Sequence, residues 1–292
     1  MSHYTVMAII RKGSDADVEE LLAPYDENMR VAPYVRLTKA ELIARKREEA
    51  ACVAHDIEVA KEVGDEEAYE RTDGVRYRYG YVTSDEGAAC AALVGKTDDE
   101  VFEAVRKDYG ENDLDEDGNY VSTYNPNSKW DWYSVGGRFG GSLLLKGGGS
   151  TDEAHAGEVD WNRMFRLTPS RRKRLSGFWD EYVLGKLPEG IDPDDDEAAR
   201  EYLDGKYGFV MFGREYYLER YGTKAEYLRR QAIWTTYAVV DENGWHAPGR
   251  MGWFGCSDET AEAQRDWEEN FRARFVDALD PDDAVVIVDC HI

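Results

Sequence analysis

Ala284–Ile292, AVVIVDCHI, runs through five apolar residues before its first charge. A short β-branched run of this kind reads as a buried strand, because helices need longer periodic stretches. A terminal strand this apolar belongs inside a sheet, since chain ends otherwise fray. At the other end, His3–Arg11 (HYTVMAIIR) is equally apolar and places Val6, Ala8 and Ile10 on one face. Pairing the two ends predicts an α+β fold: a mainly antiparallel sheet formed by the N- and C-terminal strands, covered by helices, with helical insertions. One domain over residues 1–292 is expected, and the polar, glycine-rich 147–157 is where it would subdivide.

Working inward, Thr38 with Glu41 and Thr97 with Glu100 are capping boxes, the first opening a helix to about Val63. Ala23–Leu37 carries two prolines and reads as a loop with one short strand at most. Val75–Thr83 (VRYRYGYVT) alternates aromatic with polar residues and reads as a strand. Asp113, Asp115, Asp117 and Gly118 match the opening of a calcium loop, but Tyr124 stands where a bidentate Glu is required. Asp117-Gly118 is therefore read as a hairpin turn. Thr168-Pro169 opens a helix with Leu175, Phe178, Trp179 and Tyr182 along it. Around its start lie Arg163, Arg166, Arg171, Arg172, Lys173 and Arg174, read as a counterweight to an acidic chain in preference to an anion site. Asn243-Gly244 marks a second hairpin. Ser257 is expected to cap the helix that carries Trp267, Phe271 and Phe275.

Bulk composition narrows the function classes. Sixty acidic against 36 basic residues give a formal charge of −24, which repels nucleic acid and anionic membranes at long range. Three readings of that charge stand: an ordinary solvated surface, carboxylates offered to a basic partner or acting as a nucleic-acid mimic, and divalent-cation binding. Hydrophobic content of 42% fits a globular chain. No apolar run is long enough to span a bilayer, and the start lacks a leader pattern, so a cytoplasmic location is expected. Cys52, Cys90, Cys256 and Cys290 are scattered without a CxxC pair, so neither disulfides nor zinc are expected.

The segment least like helix or strand filler is Asn125–Gly141, NPNSKWDWYSVGGRFGG. Strand alternation would put Trp130 and Trp132 on one face and Asp131 and Tyr133 on the other. Lys129 precedes them, and Arg138 follows a glycine pair that permits a sharp bend. An Arg among aromatic planes suits a flat anionic or nucleobase-bearing ligand, through stacking and bidentate hydrogen bonds. The same residue types make protein hot spots. Against both stands a purely structural role, with the tryptophans in the core and Arg138 paired to Asp131. A second aromatic–glycine cluster holds Trp245, His246 and Trp253, and the two would line one cleft if they met. On the last strand, Asp289 and His291 share a face, as in a general acid–base pair or a satisfied strand-end histidine. No P-loop, GxGxxG or GxSxG motif occurs, so no cofactor, metal or nucleophile is assigned.

LLAPYDEN at Leu21–Asn28, NPNSKWDWYSVGGRF at Asn125–Phe139, and MGWFGC at Met251–Cys256 with VIVDCHI at Val286–Ile292 together resemble an uncharacterised bacteriophage and prophage protein family. Phe139 stands where Trp is expected, which keeps the aromatic character. The resemblance implies a mobile-element origin and raises the expectation of action on host machinery or defence. The leading expectation is thus an accessory protein, without catalysis, that binds a host protein or a nucleotide-like small molecule. One rival is a hydrolase acting on a nucleotide or nucleic acid, with His246 or the Asp289/His291 pair and Arg138 as anion clamp. Another is an acidic mimic or virion-associated structural protein.

Overall fold

The computed structural model describes residues 2–110, 113–191, 196–210, 212–252 and 255–292, with the side chains of 196 and 197 also left aside. Strands among them are, in chain order, β1 (His3–Ile10), β2 (Arg30–Leu37), β3 (Tyr120–Tyr124), β4 (Trp132–Val135), β5 (Leu143–Leu144), β6 (Ser150–Thr151), β7 (Glu153–His155), β8 (Ala238–Asp241), β9 (Gly244–His246) and β10 (Ala284–His291). The fold is α+β, as the terminal strands imply.

β1 and β10 pair antiparallel along their whole length, from His3 opposite His291 to Ile10 opposite Ala284. The sheet runs β4-β10-β1-β8-β9, with β7 sharing the β4 side of β10. It is mixed: β8 lies parallel to β1, and the other pairs are antiparallel. Alternation sorts its side chains onto two faces. Met7, Ile9, Val239, Val285 and Ile287 pack with Trp267 and Phe271 of the helix Ala261–Phe271 on one. Tyr4, Val6, Ala8, Val240, Val286, Val288 and Cys290 pack with Leu22 and Trp130 on the other.

Two compact units result, one made of 1–29 with 126–292, the other of 30–125. Neither boundary falls in 147–157. That stretch is instead the tip of the β5–β6 hairpin followed by β7, because Thr151 and Leu143 pair and Ala154 joins the edge of β10. Its glycines serve the turn, where Gly148 and Gly149 have φ of 92° and 78°.

The second unit is built on the helix Lys39–Val63, whose Thr38–Glu41 capping box forms as expected, as does Thr97–Glu100 on the helix Asp98–Asp108. The proline-bearing 30–37 forms a full strand paired with β3, with register breaks on either side of Tyr34–Val35. Pro33 is tolerated there, since an edge strand leaves amide positions unpaired. Asp115 Oδ1 accepts the amides of Asp117 and Asn119 at 3.0 and 2.8 Å, closing the hairpin read at Asp117-Gly118. Glu111 and Asn112 lie outside the described residues.

Val75–Thr83 is not a strand; it ends in the short helix Tyr79–Val82. The amides of Arg76 and Tyr77 donate to Asp56 Oδ2 at 2.8 and 2.9 Å, and the Tyr69 hydroxyl donates to the Tyr77 carbonyl at 2.7 Å. A buried carboxylate thus satisfies backbone that would otherwise need a neighbouring strand. Burial alone would raise the Asp56 pKa, but the Arg76 amide, His55 and the Tyr77 amide together hold it below the ordinary value. A depressed carboxylate contributes stability above its unfolded pKa and loses it as pH falls through the folded one. Acid unfolding of residues 30–125 is therefore expected to steepen below about pH 4. Asp56→Ala, which orphans two amides, should cost roughly 2–4 kcal/mol in chemical denaturation and flatten that acid limb.

Further on, Thr168 caps the helix Pro169–Phe178 with proline in its first turn. The cap of the helix Ala261–Phe271 is Thr260, not Ser257. Ser257 is taken by a bridge to Met251, which holds the loop between them. No helix among the described residues is long and apolar enough to cross a membrane.

Candidate functional site

The register of the sheet assembles a cluster at the end where β1 starts and β10 stops. His3 lies directly opposite His291, and Trp132 lies opposite His291 on its other side. By alternation His3, Thr5, Asp289, His291, Trp132 and Ser134 project from one face. The imidazoles of His3 and His291 stand 5.0 Å apart, centroid to centroid, at 70°. Trp132 stacks on His291 at 5.4 Å and 18° and meets His3 edge-on at 5.4 Å.

Each imidazole has its own carboxylate. His3 Nδ1 lies 2.9 Å from Asp289 Oδ1, and His291 Nδ1 lies 2.6 Å from Asp131 Oδ1. Asp289 and His291, for which a mutual acid–base pair and a satisfied strand-end histidine are the two sequence readings, are therefore split between two pairs. Side chains two apart along a strand lie farther from each other than from the residues of the strand alongside. Each Nδ1 faces a carboxylate oxygen, which accepts, so Nδ1 is the donor of its dyad and Nε2 is the ring's other polar atom. Neither Nε2 bonds to a described residue.

The glycines after β4 are shaped by carboxylates. Gly137, at φ +50°, sits where an added Cβ would stand 2.5 Å from both Asp289 Cβ and Oδ2. Close approach lets the Arg138 amide donate to Asp289 Oδ2 at 2.9 Å. Gly136, at φ +70°, is likewise closed in by Asp152, a Cβ there falling 2.2 Å from Oδ2. The sharp bend that the glycine pair permits packs its backbone against two carboxylates. It still projects Arg138 into solvent, where its guanidinium makes no hydrogen bond or ion pair with any described residue.

Trp130 and Trp132 do not share a face. The strand starts at Trp132, while Trp130 sits before it in a parallel bridge to Asp26, so alternation does not reach back that far. Trp130 is buried on the opposite side of the sheet, its indole N–H donating to the Leu22 carbonyl at 3.2 Å, with Tyr133 packed edge-on at 5.1 Å. Burial raises the pKa of Tyr133. Lys129 is held by backbone: its amide donates to the Tyr25 carbonyl at 2.8 Å, and its carbonyl accepts the Tyr4 hydroxyl at 2.5 Å. The Arg138–Asp131 pair does not form, because His291 takes Asp131.

Trp245 and His246 ride on β9, at the far edge of the sheet from β4. Trp245 packs on Tyr25 at 5.2 Å, in the apolar cluster that also holds Trp130. His246 Nε2 pairs with Asp241 Oδ1 at 3.0 Å and borders a separate cleft of about 560 Å³ with Trp267, Arg274 and Phe275. Trp253 lies outside the described residues. Gly252 and Gly255 are tied to the cluster's end of the sheet: Ser2 Oγ donates to the Gly252 carbonyl at 2.9 Å and accepts the Gly255 amide at 2.6 Å, one residue from His3.

His3 is the member that motif reading missed. Its signal lay in the two termini read together, since pairing HYT antiparallel to DCH sets one histidine against the other. Cys290 belongs to the opposite face, where burial and then Asp289 push its thiol pKa up, so it is no nucleophile for this cluster. No group of His, Cys, Asp and Glu among the described residues is arranged to hold a metal ion.

Comparison with protein-family models, with curated proteins and with solved structures finds no match for this chain. What the geometry defines is a class of site: paired imidazole–carboxylate dyads under a half-exposed indole, with the Arg138 amide bonded to one of the carboxylates.

Proposed function

We propose that this is a phage-type accessory protein whose Trp132–Arg138 surface binds a nucleotide-like ligand of the host, in a counter-defence role by sequestration. One observation carries the reading. Trp132 is 44% exposed although backed by His291, and the neighbouring Arg138 guanidinium is unspent. An indole stacked on one side and open on the other offers a rigid platform to a base, a contact worth about 1–3 kcal/mol. A guanidinium with no carboxylate partner suits bidentate phosphate recognition. The −24 charge disfavours a long polyanion and leaves a small ligand as the better occupant. The likeness of its three motifs to phage-borne proteins supports the host-directed context.

Calorimetry against a panel of mononucleotides, linear dinucleotides and cyclic dinucleotides tests the reading. Trp132→Ala and Arg138→Ala should each weaken binding by roughly 5- to 150-fold, with modest salt dependence. A salt-sensitive complex with a basic host protein that survives both substitutions would replace it with the mimic.

A further inference from the structure

We infer that His3 and His291 form a general acid–base pair that cleaves a short oligoribonucleotide by attack of its own 2′-hydroxyl on the adjacent phosphodiester. This rests on the nucleotide-binding reading above and replaces sequestration with turnover for ligands that carry a 2′-hydroxyl beside the phosphodiester. Two imidazoles on adjacent strands, 5.0 Å apart, each with Nδ1 held by a carboxylate, leave two Nε2 atoms to handle protons. Side-chain exposure is 11% for His3 and 6% for His291, so His3 is half-buried and His291 lies covered by the Trp132 ring stacked on it. What the proposal adds to two satisfied histidines is their juxtaposition, ring against ring at the sheet end, so that one can accept a proton while the other gives one.

Cys290 is no nucleophile for this pair, since its thiol is buried on the other face with its pKa raised, and the Thr5 hydroxyl is engaged by the Tyr237 amide. A nucleophile that arrives with the substrate answers that gap. The 2′-oxygen gives its proton to one Nε2 and forms a bond to phosphorus. The bond from phosphorus to the 5′-oxygen breaks, and that oxygen takes a proton from the other Nε2. Products are a 2′,3′-cyclic phosphate and a 5′-hydroxyl, with no water, oxidant or reductant consumed. Arg138, whose amide is fixed to Asp289, is placed to neutralise the phosphate, and Trp132 to stack a flanking base. Asp131 and Asp289 are positioning residues, which hold each ring in one tautomer.

The full-length protein is incubated with 3′,5′-ribodinucleoside monophosphates and their 2′-deoxy counterparts, with products read by chromatography and phosphorus NMR. Ribo substrates should yield the cyclic phosphate with a bell-shaped pH–rate profile, while deoxy substrates should bind without cleavage. His3→Asn and His291→Asn should each lower the rate by about 10²- to 10⁴-fold; His3→Asn, which keeps the His291 ring stacked under Trp132, should leave calorimetric affinity for the deoxy dinucleotide within about threefold. Asp131→Asn should displace the pH profile and lower kcat more than it raises KM. Deoxy binding with no ribo cleavage would overturn the catalytic inference alone. Cleavage of deoxy substrates at the ribo rate, or histidine variants at the parental rate, would also overturn it. No binding of any dinucleotide would remove both this inference and the reading beneath it.

Discussion

Gly137→Ala is expected to destabilise the sheet-bearing unit by roughly 2–5 kcal/mol and to abolish ligand binding with it. Two costs add. At φ +50° an L side chain meets backbone strain that glycine avoids, and the added methyl lands 2.5 Å from Asp289 Cβ and 2.6 Å from Ser134 Oγ. Asp289 Cβ is part of a central strand and cannot swing aside as a lysine tip would. Relief would require β4 to lift from β10, which would break the Arg138–Asp289 contact and shift Trp132 off His291. Gly148→Ala is the control: its φ is +92°, but nothing lies within 4 Å of the added carbon. It should cost only the strain and leave binding intact. Urea titrations of the two variants, with nucleotide calorimetry on each, check this; equal losses at both positions would mean that crowding against Asp289 has no weight.

Phe271→Ala is expected to cost about 3–5 kcal/mol while leaving affinity per folded molecule unchanged. Phe271 is fully buried beneath the sheet and sits among Trp234, Trp267 and Phe275 at ring separations of 5.8, 5.5 and 5.4 Å. Truncation opens a cavity lined by rigid rings that close it poorly. Phe271→Leu, which keeps most of the volume, should recover much of the loss. Since a domain is stable by only about 5–15 kcal/mol, the alanine variant should unfold at markedly lower denaturant. Loss of ligand affinity in the fraction still folded would show that the core on this face and the Trp132 cluster are coupled.

The two substitutions separate kinds of legibility. Phe271 was readable as a core residue because spacing of four from Trp267 and on to Phe275 marks one helical face. The importance of Gly137 was visible, but its cause was not: the glycine pair signalled a tight bend, whereas the carboxylate it accommodates comes from a strand more than a hundred residues away. Likewise Asp131 and Arg138 were both recognisable as chemistry-bearing. Which one would be spent on an ion pair depended on His291, which proximity in the chain does not bring near either.

The sequence by itself determined that the two ends pair and which of their residues share a face, because a period of two is written into each strand and survives any change of neighbour. It also determined the capping boxes and hairpin turns, where donor and acceptor lie within a few residues. Tertiary structure alone decided the partners. It set His3 beside His291, gave each a separate carboxylate, sent Trp130 inward and left Trp132 open, and converted Val75–Thr83 from a strand pattern into backbone bound by Asp56. The physical reason is that periodicity specifies a face, whereas a hydrogen bond needs register. A slip of one residue would exchange every partner named here.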